Sequence, residues 1–189
     1  FVVLGALVNP LSAVLTLSGT LFYVFVYTLW LKRATPQNIV IGGAAGAIPP
    51  VVGWTAVTGN LALPAIYLFA IIFFWTPPHF WALALLIKDD YARAQIPMLP
   101  VVNGIVKTKW SILLYTLLLV ALTLMFFTTQ AVGWIYFAAA CTLGLGFLYY
   151  SLRLLRQPGV KGAVGLYVYS MLYLALLFVA VAVDSVVAA

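Results

Sequence analysis

The sequence predicts an all-α fold, a polytopic bundle of transmembrane helices, and three observations carry that prediction. Of the 189 residues, 66% are hydrophobic and only 6% charged, against about 25% charged in a soluble chain. The apolar residues come in blocks of about 20, the length a helix needs to cross a hydrocarbon core of roughly 30 Å; a β-barrel would show short alternating segments instead. All nine Lys and Arg fall in three connections between blocks, so the blocks themselves are free of basic charge.

Taken in order, the chain opens with FVVLGALV, already hydrophobic at Phe1 and too short to span before Asn9-Pro10. It reads as the end of a helix that begins in an N-terminal segment preceding this chain, not as a signal peptide, whose basic start and cleavage site it lacks. Six spans follow, near 11–31, 39–57, 61–87, 111–130, 132–152 and 163–183, bounded by charges and turn residues. The first carries Tyr23, Tyr27 and Trp30 ahead of Lys32-Arg33, which read as interfacial anchors. In the second, GGAAGA places Gly42 and Gly46 as a small-xxx-small pair that lets two helix backbones approach. The third contains Pro77-Pro78, which remove two backbone donors and predict a break or kink. A long connection, 88–110, mixes both charge signs with Pro97, Pro100 and Gly104, and long ordered loops carry function. The three remaining spans complete a single membrane domain over 1–189, with no soluble domain and no internal repeat. The single cysteine, Cys141, lies inside an apolar block, which excludes disulfides and cysteine metal sites.

The basic residues are Lys32 and Arg33; Lys88, Arg93, Lys107 and Lys109; and Arg153, Arg156 and Lys161. They occupy alternate connections, while those around Asn9-Pro10, Thr58-Gly59-Asn60 and Thr129-Gln130 have none. The positive-inside rule therefore puts loops 32–38, 88–110 and 153–162 on the cytoplasmic side. The net charge of +6 is accounted for by helix orientation and attraction to an anionic lipid bilayer, not by nucleic-acid binding.

The stretch WTPPHFWALALLIKDDY at 75–91 holds the only histidine and two of the three acidic residues. An ionisable residue within a span is a functional candidate, because burying it in lipid costs several kcal/mol. His79 follows the predicted proline break, where irregular backbone needs protein or a water-filled cavity to satisfy it; the alternative is an imidazole bonded to a carbonyl freed at that break. If helix resumes, Asp90 returns to within roughly 20° of the same face some 16 Å further on, so the two line one stripe. Asp89 and Asp90 then lie at a helix C-terminus, where acid is unfavourable by roughly 0.3–1 kcal/mol, and call for a cation. Magnesium takes one or two carboxylates while bridging phosphates, and Lys88, Arg93, Lys32, Arg33, Lys107 and Lys109 would neutralise an anionic leaving group. Spacing alone does not name the substrate.

YTLWLKRATPQNIVIGGAAGAIPPVVGW at 27–54, WTPPHFWALAL at 75–85 and DDYARAQIPMLPVV at 89–102 closely resemble the haem O synthases, or protohaem IX farnesyltransferases, a branch of the UbiA-type intramembrane prenyltransferases. The resemblance implies a nine-helix bundle, of which this chain supplies about six complete helices and one partial. It implies transfer of farnesyl from farnesyl diphosphate to a vinyl group of haem B, releasing diphosphate, in a bacterial cytoplasmic membrane. Mg²⁺ is then held by aspartates in two cytoplasmic loops, with Asp90, helped by Asp89, at the second; the first is expected before Phe1, so this polypeptide alone is expected to be inactive. The catalytic set is Asp90, Lys88 and Arg93, and diphosphate is bound by Lys32, Arg33, Lys88, Arg93, Lys107 and Lys109. His79 faces the porphyrin as an axial ligand or as a partner for a propionate. Trp75, Phe80 and Trp81 form the prenyl pocket that shields a farnesyl carbocation from water. Haem A synthase or terminal-oxidase assembly is the implied partner. The superfamily's DxxxD is not kept: Arg93 stands four residues after Asp89 and Ala94 four after Asp90, which leaves metal stoichiometry open.

Two other readings compete. A related prenyltransferase would use a quinone or chlorophyll precursor as acceptor. A proton or ion transporter would carry His79 and Asp90 on its path, and predicts an inverted repeat that the sequence lacks.

Overall fold

The computed structural model describes residues 1–187, and among these every regular element is helical. Six helices are long and apolar enough to cross a membrane, which makes this a multi-pass membrane protein. After a short α1 (Val2–Leu7) come α2 (Pro10–Ala34), α3 (Asn38–Thr58) and α4 (Leu63–Leu86). Two short helices follow, α5 (Lys88–Arg93) and α6 (Leu99–Val102), and then α7 (Gly104–Thr129), α8 (Trp134–Arg156) and α9 (Ala163–Val187). Local signals set the ends. Asn9 caps α2 by accepting from the Ser12 N–H at 2.8 Å, Gly59 closes α3 with φ 71°, and prolines sit in the first turns of α2, α4 and α6, where a missing N–H costs nothing.

Helix α4 is shared by two sub-bundles. On one side it packs against α7 and α9, which in turn hold α8, and on the other against α3, which in turn packs with α2. The first side is the densely packed core, where Trp81, Phe126, Tyr136, Phe147 and Tyr173 are sealed. Lipid gives apolar surfaces no reason to leave it, so close packing and interhelical hydrogen bonds hold such a bundle. The Tyr136 hydroxyl donates to the Thr123 carbonyl at 2.9 Å, Thr116 and Ser151 hydroxyls meet at 3.0 Å, and Ser12 and Thr55 hydroxyls at 2.8 Å. Helix α8 is held at both ends. At its start the Asp184 carboxylate of α9 accepts from the N–H groups of Gly133, Ile135 and Tyr136. At its finish Lys109 Nζ of α7 donates to the Gln157 carbonyl at 2.6 Å. Each charge matches the helix dipole it meets, and the Lys109 bond ties the second and third basic connections to one end of the bundle.

Three expectations need correction. Helix α4 runs through Pro77 and Pro78 without a break: two lost donors do not stop a helix whose residues 76–79 are buried against its neighbours on both sides. The connection after α4 is no open loop to residue 110. It holds α5 and α6, and α7 already begins at Gly104 (φ 78°), because Lys107 and Lys109 ride on its first turns, as basic side chains at membrane-helix ends do. Of the glycine pair, only Gly42 meets a neighbour, the Tyr27 ring, whereas a Cβ on Gly46 would find no atom within 4 Å; Gly43, against Thr76 at 3.2 Å, makes the second close approach.

Candidate functional site

Between α2, α3 and α4 lies a cavity of about 780 Å³. Thr16, Thr20, Tyr23 and Tyr27 face it from α2, Gly42, Gly46 and Pro49 from α3, and Trp75, Thr76 and Phe80 from α4. Its threonines add little polarity. Thr16, Thr20 and Thr76 each spend their hydroxyl on the carbonyl four residues back in their own helix. Helix α2 is wound as a π-helix over Phe22–Leu31, with Thr28 Oγ1 donating to the carbonyl of Tyr23 five residues back. Such widened turns are rare and concentrate at functional sites. Tyr23 and Tyr27, read from sequence as interfacial anchors, are part of the cavity wall, their rings 5.5 Å apart; Tyr23 and Trp30 are both exposed.

At Ile87 (φ −112°, ψ 33°) the chain leaves α4 and turns into α5, so Asp89 and Asp90 occupy a first helical turn, not the C-terminus expected. Acid is favourable there, and the predicted need for a compensating cation falls away. Asp90 pairs with Arg93, both exposed, a contact worth under about 1 kcal/mol. Tyr91 secures the segment, packing with Ile96 and Val101 on Ile39, Ala84 and Met98. Ile39 also lines the cavity. The turn that carries the two aspartates is therefore anchored, through Tyr91, beside Ile39 of the cavity wall. Burial pushes the Tyr91 phenol up, so it stays protonated and neutral beside them.

The remaining predicted residues divide. Lys32, Arg33 and Lys107 are exposed at the same end, and Lys88 is half-buried. Lys109 is buried, its ammonium committed to Gln157, and so is not available to an anion. Trp75 and Phe80 line the cavity, but Trp81 faces the core, edge-on to Tyr115 at 5.2 Å, because it stands about 120° round α4 from Trp75 and about 100° from Phe80. His79 and Asp90 do not share a stripe: the break at Ile87 cancels the helical projection, and neither side chain lines the cavity. His79 instead points at α9. Its Nδ1 lies 2.7 Å from Ser170 Oγ, not at a carbonyl freed by the prolines, and its ring is stacked between Trp75 (4.3 Å) and Tyr167 (4.8 Å). Trp75 Nε1 donates to the Ser170 carbonyl at 2.7 Å. A second hollow of about 430 Å³ runs between α4 and α9, and Ile72 and Trp75 wall it off from the first. Sequence reasoning missed Ser170 and Tyr167; the only signal was a hydroxyl in an otherwise apolar span.

Among the described residues no cluster of three or more His, Cys, Asp or Glu could hold a metal unaided. The arrangement offers an apolar, aromatic chamber, with two exposed carboxylates and exposed cations at one end of the bundle. That suits a ligand with a greasy body and an anionic head.

The chain is similar to known proteins. The UbiA prenyltransferase family profile matches residues 1–172. Proteins named "Protoheme IX farnesyltransferase" are similar to nearly the whole chain: 56% identical over 99% of it in Roseiflexus sp. (strain RS-1), 55% over 98% in Gloeobacter violaceus and 56% over 99% in Deinococcus radiodurans. The chain spans 35%, 61% and 62% of their respective lengths. A solved structure described as digeranylgeranylglyceryl phosphate synthase superposes with a TM-score of 0.82 over 94% of this chain and 62% of that one; at 17% identity it speaks to the fold alone.

Proposed function

The chain belongs to the UbiA prenyltransferase family, and from that premise we propose that the complete protein is a haem O synthase, transferring farnesyl from farnesyl diphosphate to a vinyl group of haem B. The observation that carries this reading is the aromatic cavity of about 780 Å³ with the Asp89-Asp90 turn anchored beside its wall. The farnesyl chain occupies the cavity and its diphosphate lies at the polar end. There Asp90, with Asp89, would hold Mg²⁺. The donor set fits, because hard carboxylate oxygens on an exposed turn can supply one or two ligands and leave the rest to phosphate and water. When bound, the ion supplies positive charge to the departing diphosphate. Lys88, Arg93, Lys32, Arg33 and Lys107 add to that charge as the carbon–oxygen bond breaks. The apolar wall keeps water from the allylic cation, and the ring faces of Tyr23, Tyr27 and Trp75 favour it by about 0.5–2 kcal/mol each. The outer vinyl carbon of haem B then attacks the allylic carbon. The cation this leaves on the inner vinyl carbon is taken up by a water molecule that gives up a proton, so that one water is consumed and diphosphate leaves. His79, behind Trp75, faces the porphyrin. The basic end of the bundle faces the cytoplasm, and haem O passes to haem A synthase or terminal-oxidase assembly.

The test is to incubate the purified full-length protein with farnesyl diphosphate, haem B and Mg²⁺ and identify the product by mass spectrometry. Farnesylated haem is expected, and Asp90→Asn should lower turnover about 10²-fold, the scale of losing one group that stabilises transition-state charge. Prenylation of an aromatic quinone precursor in place of haem would move the assignment within the family. An Asp90→Asn enzyme at full rate would remove the metal role given to that carboxylate.

A further inference from the structure

A histidine that faces a porphyrin can offer it either an N–H, suited to a propionate, or a lone pair, suited to the iron. We infer that Ser170 locks His79 in the tautomer with its proton on Nδ1, leaving Nε2 as a lone-pair ligand for the haem iron. This rests on the haem reading above and deepens it.

The hydrogen-bond chain decides the tautomer. A serine hydroxyl has one hydrogen and can accept as well. Ser170 Oγ spends that hydrogen on the Tyr167 carbonyl, at 2.6 Å. Toward His79 it can then only accept, so the Nδ1 at 2.7 Å carries the proton. A neutral imidazole protonated at Nδ1 has its lone pair on Nε2. The ring is neutral because it is nearly sealed from water and no carboxylate reaches it. It is 7% exposed and lies between the faces of Trp75 and Tyr167 with Phe80 edge-on. The three acids are elsewhere: Asp89 and Asp90 are on α5, and Asp184 is bound to the start of α8. An unpaired buried charge is costly.

Geometry supports the same assignment. Nε2 makes no hydrogen bond, and unlike the indole nitrogens of Trp54 and Trp81 it is not sealed from solvent. Two stacked rings fix the imidazole plane, and one of them, Trp75, is itself tied to the backbone carbonyl of Ser170. A ligating histidine whose other N–H is held by a fixed acceptor is the usual arrangement at metal centres, and losing that acceptor typically costs about 10–100-fold in affinity. A propionate would find no N–H at Nε2 to bind. Ser170 is thus a positioning residue, and the bond it prepares is a coordinate bond from Nε2 to iron with no change in proton count.

Haem B and iron-free protoporphyrin IX carry the same propionates, so the pair separates the two chemistries. Full-length protein would be titrated with each, and the haem-loaded form examined by absorption and electron paramagnetic resonance. Wild type should bind both and give the signature of histidine-ligated iron. His79→Ala should lose that signature and haem affinity while still binding the iron-free porphyrin, and His79→Gly should regain the signature with added imidazole. Ser170→Ala should weaken haem B about 10–100-fold without moving the iron-free porphyrin, and Ser170→Thr, which keeps the hydroxyl, should retain the signature. Equal losses for both porphyrins in His79→Ala, or an unchanged haem spectrum, would overturn the proposal and leave the haem reading standing. Wild type that binds neither porphyrin would refute the haem reading itself.

Discussion

Truncating Asp184 to Ala should be among the most destabilising single changes in this bundle. Its carboxylate serves three N–H groups at the start of α8: Gly133, Ile135 at 3.1 Å and Tyr136 at 3.3 Å. No side chain within α8 replaces it, for the N-cap is Gly133. Tyr136 is fully buried, so its orphaned N–H would bear a penalty of about 1–3 kcal/mol. Gly133 and Ile135 are reachable by water, and their loss is that of an ordinary cap, about 0.5–2 kcal/mol. Together these give about 1.5–5 kcal/mol, or roughly 3–20 °C in Tm for a chain of this size. Asp184→Asn keeps an acceptor and loses the charge at the helix N-terminus, so it should cost only about 1 kcal/mol. Lys109→Met, which removes the single bond at the other end of α8, should likewise cost about 1–2 kcal/mol. The assay is thermal unfolding of the purified full-length protein in detergent, followed by tryptophan fluorescence. Asp184→Ala unfolding at the wild-type temperature would refute the clamp, and so would Asp184→Asn matching the alanine variant.

Two further predictions concern the cavity. Gly46→Leu places a side chain where nothing now stands within 4 Å; kcat/KM for farnesyl diphosphate should fall at least about 10-fold relative to a shorter prenyl diphosphate, given roughly 1–3 kcal/mol per misfitting methylene, and an unchanged ratio would mean the chain lies elsewhere. Trp81→Phe should leave turnover near wild type, because Trp81 faces the core and its indole N–H has no partner, whereas Trp75→Ala removes cavity wall and should lower turnover; the reverse order in a steady-state comparison would show that the wrong face of α4 has been assigned to the substrate.

Much of the site was readable because its residues are chemically rare in this chain. One histidine and an Asp-Asp pair in an apolar sequence stand out without any coordinates, and lipid makes each of them expensive to place. Which way they point was not readable. The angular projection from His79 to Asp90 depends on every intervening residue being helical, and one residue, Ile87, with ψ near 33°, redirects all that follows. The same limit separated Trp75 and Phe80 from Trp81, and left Gly46 open in the cavity wall while Gly42, in the same wall, met the Tyr27 ring. Lys109 reads like any other basic residue of its loop, yet the nearby end of α8 claims it.

The sequence by itself determined that this is a bundle of membrane-crossing helices with its cations gathered at one end, since the cost of charge and of unpaired backbone in hydrocarbon acts on each segment separately. It also fixed which groups could do chemistry. The tertiary structure alone decided which of them meet: the cavity between α2, α3 and α4, the hydroxyl of Ser170 on the imidazole of His79, and the carboxylate of Asp184 on the start of α8. The last two join residues 91 and 48 or more positions apart. Such contacts arise from how helices dock, through close packing and shared hydrogen bonds, and local composition does not encode that docking.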